Sequence, residues 1–240
     1  HKGDVGPDIL RVFDVSSVTL TNYLRSFDDD IWIKSFYQTL VFAAITVGLG
    51  LILSLGIAIL LNQEFRGRTA LRVLILVPWA VPPVVNGTTW GIVFHASVGT
   101  LNAALQQLGL IQKYIIWFGD PVLALVGLSL AVTWRFIPYM TLFLLAGLQA
   151  VSKDQLESAH IDGANAFQRF RYVVMPTIVP VLLSVAFMQT VYSTRIFDEI
   201  WATTKGGPSY GTTVMNMWIY KQSFDFLNFG YGAALSYLLA

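Results

Sequence analysis

Two groups of residues in this chain could do chemistry, and both point to binding and motion rather than bond-making. The first centres on Arg135, stranded in a long apolar run with Tyr139 four residues on, so both fall on one helix face. A cation in lipid costs at least ~2.5 kcal/mol unless it faces a cavity or a partner. Two readings follow: a structural ion pair with Asp198 or Glu199 from another helix, or a polar path lined by Arg135 and Tyr139. Arg195, Asp198 and Glu199 stand three and four apart, which also lets them neutralise one another. The second group is a polar island, Val151 to Tyr172, carrying Asp154, Glu157, Asp162, Arg169 and Arg171 between two apolar stretches.

Enzymatic readings find little support. There are 0 cysteines, so a disulfide, a thiolate metal site and a cysteine nucleophile are all excluded. His95 and His160 are isolated from any second ligand, which leaves no metal site. Gly48 and Gly50 echo a dinucleotide fingerprint but lie inside an apolar span. No G-x-x-x-x-G-K-[ST] string occurs, so if ATP drives this protein its site is on another chain. Lys and Arg number 15 against 14 acidic residues, a net charge of +1 with no basic patch, so no nucleic-acid partner is expected.

The elements that must position these groups are membrane helices. Hydrophobic residues make up 55% of the chain and charged residues only 12%, about half the share usual in soluble domains. The spans are expected at 35–61, 73–94, 121–150, 175–203 and 229–240, after a mixed polar segment at 1–34 in which Thr19 to Arg25 could be helical. Gly50, Ser54 and Ala58 form a small-residue stripe suited to close helix packing. Pro78, Pro82 and Pro83 must break the second span. Asn102, Leu105, Leu108 and Ile111 suggest a surface helix, and Trp117 and Trp201 suit the bilayer interface.

Within the island, Ser152 and Gln155 have the spacing of a capping box. Gly163 supplies a bend, a second short helix follows from Ala164, and Pro176 is placed to open the next apolar helix. Arg66, Arg68 and Arg72 in one loop, with Lys153, Arg169 and Arg171 in another, put the island on the cytoplasmic side and the Gly206-Gly207-Pro208 turn outside.

Glu157-Ser158-Ala159, Asp162-Gly163-Ala164, Phe170, Val173, Met175 and Pro176 resemble the E-A-A loop of binding-protein-dependent ABC importer permeases. The spacing is kept throughout, with Ser158 for Ala, Val173 for Ile and Met175 for Leu. The likeness runs from Asn22-Tyr23 to Gly230–Ala234 and is strongest to sugar permeases of the maltose and trehalose type, the mycobacterial trehalose importers among them. It implies an all-α integral membrane protein of the inner membrane. The domain would be a single ABC importer permease helical bundle, with about six transmembrane helices in the full chain, five of them present here and one before His1.

It further implies that 151–174 is a cytoplasmic coupling loop. Glu157 would make the charged contact with an ATPase, Gly163 the bend, and Ser158, Ala159, Asp162 and Ala164 the adjoining surface. Phe167 and Phe170 would anchor the elbow to its own bundle. In the same register Arg135, Phe136, Tyr139, Tyr192, Ser193 and Ile196 take sugar-contacting positions, although the family's polar amides are absent there. The implied partners are a second homologous permease, two ATPase subunits that hold ATP and Mg, an external solute-binding protein or lipoprotein meeting the loops around Gly206, the sugar and the surrounding lipid. No cofactor belongs to this chain itself. Rival readings are a permease for another solute such as glycerol phosphate, and an ion-coupled secondary transporter.

Overall fold

The uncharged run from Ser35 to Asn62 lies within the longest helix. A computed structural model describes residues 20–240, which leaves much of the polar segment at 1–34 outside the described residues. A short helix α1 (Thr21–Phe27) leads into α2 (Asp30–Asn62). Next come α3 (Arg68–Leu74), α4 (Val77–Ala80), α5 (Pro83–Val93), the surface helix α6 (Thr100–Gln107) and α7 (Pro121–Gln149). The island folds as α8 (Lys153–Ile161) and α9 (Ala166–Arg169), followed by α10 (Met175–Thr194), α11 (Asp198–Thr203), α12 (Met215–Tyr220) and α13 (Phe229–Leu239). No strand occurs among the described residues.

Three helical stretches are long and apolar enough to cross a membrane: Asp30–Asn62, Pro121–Gln149 and Ala166–Thr194. A fourth candidate, Arg68–Ala80 with Pro83–Val93, bends by 93° rather than crossing as one straight helix. The bend has a local cause. Val81 and Pro82 each precede a proline, which disfavours helical backbone, and both are extended at ψ 124° and 142°.

Two other expectations are corrected. The helix entered through the island does not start at Pro176: Ala166–Thr194 is continuous, with one π turn at Phe170–Val174. Pro176 has no N–H to give, and the wider turn lets the Met175 amide reach the Phe170 carbonyl instead. Nor does the span continue to 203, because the helix ends at Thr194 and α11 starts afresh at Asp198. Tertiary contacts end it: the Arg195 carbonyl accepts a hydrogen bond from Asn216 at 2.9 Å, and Ile196 is buried in the core. On the surface, α6 stops before Leu108 and Ile111. Trp117 donates to buried Asn102 at 3.0 Å, and Trp201, half-buried, packs against the core between Phe197 and Tyr220.

Three apolar clusters run along the bundle. Phe42, Leu128, Met140 and Val185 belong to the central one, which joins α2, α7 and α10. Ala58, Leu144, Leu148 and Ile178 form a second at the island end. The stripe Gly50, Ser54 and Ala58 is buried, and Ser54 bonds the Ile137 carbonyl of α7 at 3.2 Å, so the stripe serves packing.

At the opposite end, Trp32, Trp218, Tyr231 and Leu235 surround Asp29. One Asp29 oxygen caps α2 through the amides of Ile31 and Trp32, both at 3.0 Å. The other accepts from Trp218 Nε1 at 2.9 Å and Tyr231 Oη at 2.7 Å, which ties α12 and α13 to α2. Replacing Asp29 by Ala removes the cap and leaves two half-buried donors unpaired, an expected loss of about 2 kcal/mol. A lowered midpoint of thermal unfolding in detergent checks this, and Asp29→Asn, which keeps the cap, should lose about half as much.

Candidate functional site

Arg135, Tyr139 and Tyr192 meet at one cleft. It has a volume of about 800 Å³ and lies between α4, α7 and α10. Arg135, Phe136, Tyr139 and Tyr192 line it together with Trp79, Phe143, Met188 and Ser184. Phe136 stacks on Tyr192 with centroids 5.4 Å apart, and Tyr139 meets both rings edge-on, at 5.7 and 6.1 Å. The walls are therefore largely aromatic, and Tyr192, about half exposed, presents its ring to the cavity, a surface on which apolar ring faces pack well.

Arg135 resolves to the ion-pair alternative. Its Nε donates to Glu199 Oε1 at 2.8 Å, and its guanidinium lies 4.2 Å above the Phe136 ring. Among the described residues this is the one ion pair, and it joins α7 to α11. Mutual neutralisation of Arg195, Asp198 and Glu199 is not what forms: Arg195 and Asp198 are exposed, while Glu199 is turned inward. Gly87 makes that arrangement possible. A Cβ there would stand 2.9 Å from the Glu199 carbonyl oxygen and 3.0 Å from Ala202 Cβ, so only glycine lets α5 and α11 approach this closely.

Behind the cleft wall runs a buried hydrogen-bond chain. Tyr139 Oη donates to Gln189 Oε1 at 2.8 Å, and Gln189 Nε2 donates to Ser193 Oγ at 3.3 Å. Ser193 Oγ and Thr46 Oγ1 lie 2.7 Å apart. Thr46 directs its own proton to the Phe42 carbonyl at 2.9 Å, so Ser193 is the donor between them. Every member is satisfied, which is the condition for a buried network to rigidify its surroundings. Gln189, which holds Tyr139 against the bundle, is a residue that sequence reasoning misses. Its position, three before Tyr192 and four before Ser193, puts it on the same helical face and is the signal that could have found it.

Ser193 and Ile196 do not line the cleft. Ser193 belongs to the buried chain, and Ile196 packs in the central cluster, so neither reaches the cavity surface in this structure.

The polar island folds as an elbow. At the end of α8 the Ala164 amide reaches the Ala159 carbonyl at 2.9 Å, and the Gly163 amide reaches that of His160 at 3.0 Å. That pair of bonds is a Schellman motif, and its left-handed position is Gly163, at φ +81°. The capping box lies elsewhere than expected. Ser152 occupies the N-cap of α8 without a side-chain bond, whereas Asn165 and Gln168 exchange bonds of 2.8 and 2.9 Å at the start of α9.

Glu157, Ser158, Asp162 and Gly163 are exposed, and Ala159 and Ala164 are half-buried. A cleft of about 560 Å³ lies between the elbow and the base of α10, lined by Ser158, Ala159, Asp162 and Pro176 among others. Phe170 is half-buried, but Phe167 does not fold back onto the bundle: it is 73% exposed, and Ile161 and Tyr172 nearby are as bare. Three large apolar side chains on a charged elbow make a surface suited to burial by another protein.

The family described as "Binding-protein-dependent transport system inner membrane component" matches residues 31–240. The trehalose/maltose transport system permease protein MalF of Thermococcus litoralis is 36% identical, over 96% of this chain and 77% of its own length. The sn-glycerol-3-phosphate transport system permease protein UgpA of Yersinia pestis is also 36% identical, over 96% of this chain and 78% of its own. Among solved structures, a bacterial alginate ABC transporter in complex with an alginate pentasaccharide-bound periplasmic protein superposes with a TM-score of 0.82 at 18% identity. That match covers 94% of this chain and 78% of the other.

Proposed function

The chain belongs to the inner-membrane components of binding-protein-dependent transport systems, and from that premise we propose that it forms half of a sugar importer's passage. The cargo would be a disaccharide of the trehalose or maltose kind, delivered by an external binding protein. ATP hydrolysis would take place on two partner subunits, and a second, similar permease would complete the passage. The observation that carries this reading is the aromatic cleft. Tyr192 offers an exposed ring and hydroxyl to a sugar, backed by the buried rings of Phe136 and Tyr139, while Arg135 offers hydrogen bonds.

In this reading the elbow couples the passage to the motor. Glu157 supplies an exposed charge, Gly163 fixes the angle, and Phe167 with Ile161 enters the ATPase surface. The loop after α11 is the receptor-facing part. Its carbonyls at Ser209, Tyr210 and Gly211 are held by Lys34 and Gln38 of α2 at 2.8–2.9 Å, so it presents a fixed surface.

Uptake by the reconstituted transporter tests the cleft. Tyr192→Ala removes one stacked ring and is expected to raise the half-saturating sugar concentration about tenfold, the scale of one lost aromatic contact. Unchanged uptake kinetics would assign Tyr192 to packing and remove the cleft from the passage.

A further inference from the structure

The cleft contains one cation, and the structure cancels it without using up its donors. Arg135 meets Glu199 through a single edge, Nε to Oε1, and no other side-chain bond of Arg135 occurs among the described residues. The Glu199 side chain is 1% exposed and the Arg135 side chain 11%, so Glu199 is the more deeply buried partner. Arg135 lines the cleft and Glu199 does not, so a cargo there meets the guanidinium and not the carboxylate. The other lining residues carry no formal charge. The remaining ionisable groups on this stretch, Arg195 and Asp198, are exposed and do not line the cavity.

We propose that Glu199 sets the charge class of the cargo: by pairing with Arg135 through one edge it leaves a largely apolar cleft that keeps the remaining donors of Arg135 but carries no net charge, selective for neutral polyhydroxyl compounds over their phosphate or sulfonate analogues. This rests on reading the cleft as the cargo passage. A neutral sugar hydroxyl accepts a hydrogen bond from the free edge of Arg135 as readily as it would from an unpaired arginine. An anion gains less, because its attraction to the guanidinium is offset by repulsion from the carboxylate directly behind. Glu199 acts through Arg135 and is a positioning residue.

The test uses the complete transporter in lipid nanodiscs without its binding protein, so the receptor's own selectivity does not intervene. Because the chain has 0 cysteines, Ser184→Cys puts its one thiol in the cleft, and the maleimide labelling of this subunit reports occupancy. Trehalose and trehalose 6-phosphate, which share a skeleton and differ in charge, are the protecting probes. In the parent protein trehalose protects at lower concentration. With Glu199→Gln the ratio of half-protecting concentrations shifts about tenfold toward the phosphate, the size of one charge-assisted contact. Glu199→Asp keeps the parent ratio.

Arg135→Gln combined with Glu199→Gln removes both charges and abolishes the shift, which also controls for any damage to the fold by the single variant. Equal weakening of both probes in Glu199→Gln would make Glu199 structural only and overturn the proposal. Absence of protection by either probe in the parent would instead overturn the transport reading beneath it.

Discussion

Gly163→Pro is expected to leave the protein inserted in the membrane while cargo uptake falls by about a hundredfold, the equivalent of ~3 kcal/mol. The residue sits at φ +81°, and proline is confined near −65°, so the substitution cannot keep the elbow's angle. It also removes the amide that closes the turn onto the His160 carbonyl. The site is exposed, and a Cβ added there would meet nothing within 4 Å, so the bundle itself has no reason to unfold. Gly163→Asn is the informative control, because asparagine tolerates the left-handed region and should retain most uptake. Comparing ATP hydrolysis with sugar uptake in the same vesicles checks the expectation. Hydrolysis that persists without uptake marks the elbow as the coupling element; wild-type uptake in the proline variant removes it from the mechanism.

Arg135→Ala should produce the largest loss of stability, about 3–5 kcal/mol, because it leaves the Glu199 carboxylate buried and alone. Replacing both residues by methionine should cost far less, since two hydrophobic side chains of similar length need no partner. The measurement is the thermal midpoint of the purified subunit complex for the single and double variants. A single variant as stable as the parent would mean that water or another donor already serves Glu199.

The pairing of Arg135 with a carboxylate is one of two alternatives readable from sequence, and composition alone separates the long helices from the rest. The choice among nearby carboxylates is not readable. Asp198 and Glu199 are neighbours, and which one turns inward is decided by the break at Arg195–Phe197 and the tight approach at Gly87. That break carries no proline or glycine; it depends on Asn216 reaching a carbonyl from 21 residues away. The continuity of the helix through Pro176 is hidden for the opposite reason. Proline marks a helix start in most contexts, and the π turn that absorbs it has no sequence signature of its own. Gly163 is legible because a left-handed turn nearly requires it, whereas the Asn165–Gln168 box is masked by the competing Ser152–Gln155 spacing. In the cleft, Arg135 and Tyr139 share a face as their spacing suggests, and Phe136 and Tyr192 join them in the register the family resemblance implies, whereas the bond from Tyr139 to Gln189 on another helix is made by packing.

The unbroken path from Ala166 to Thr194 has a mechanical meaning. A helix of 29 residues is about 43 Å long, so a swing of roughly 5° at its elbow end displaces the far tip by some 4 Å. Tyr192 rides close to that tip, stacked on Phe136 of a neighbouring helix, and a shift of this size is enough to pull the two rings apart.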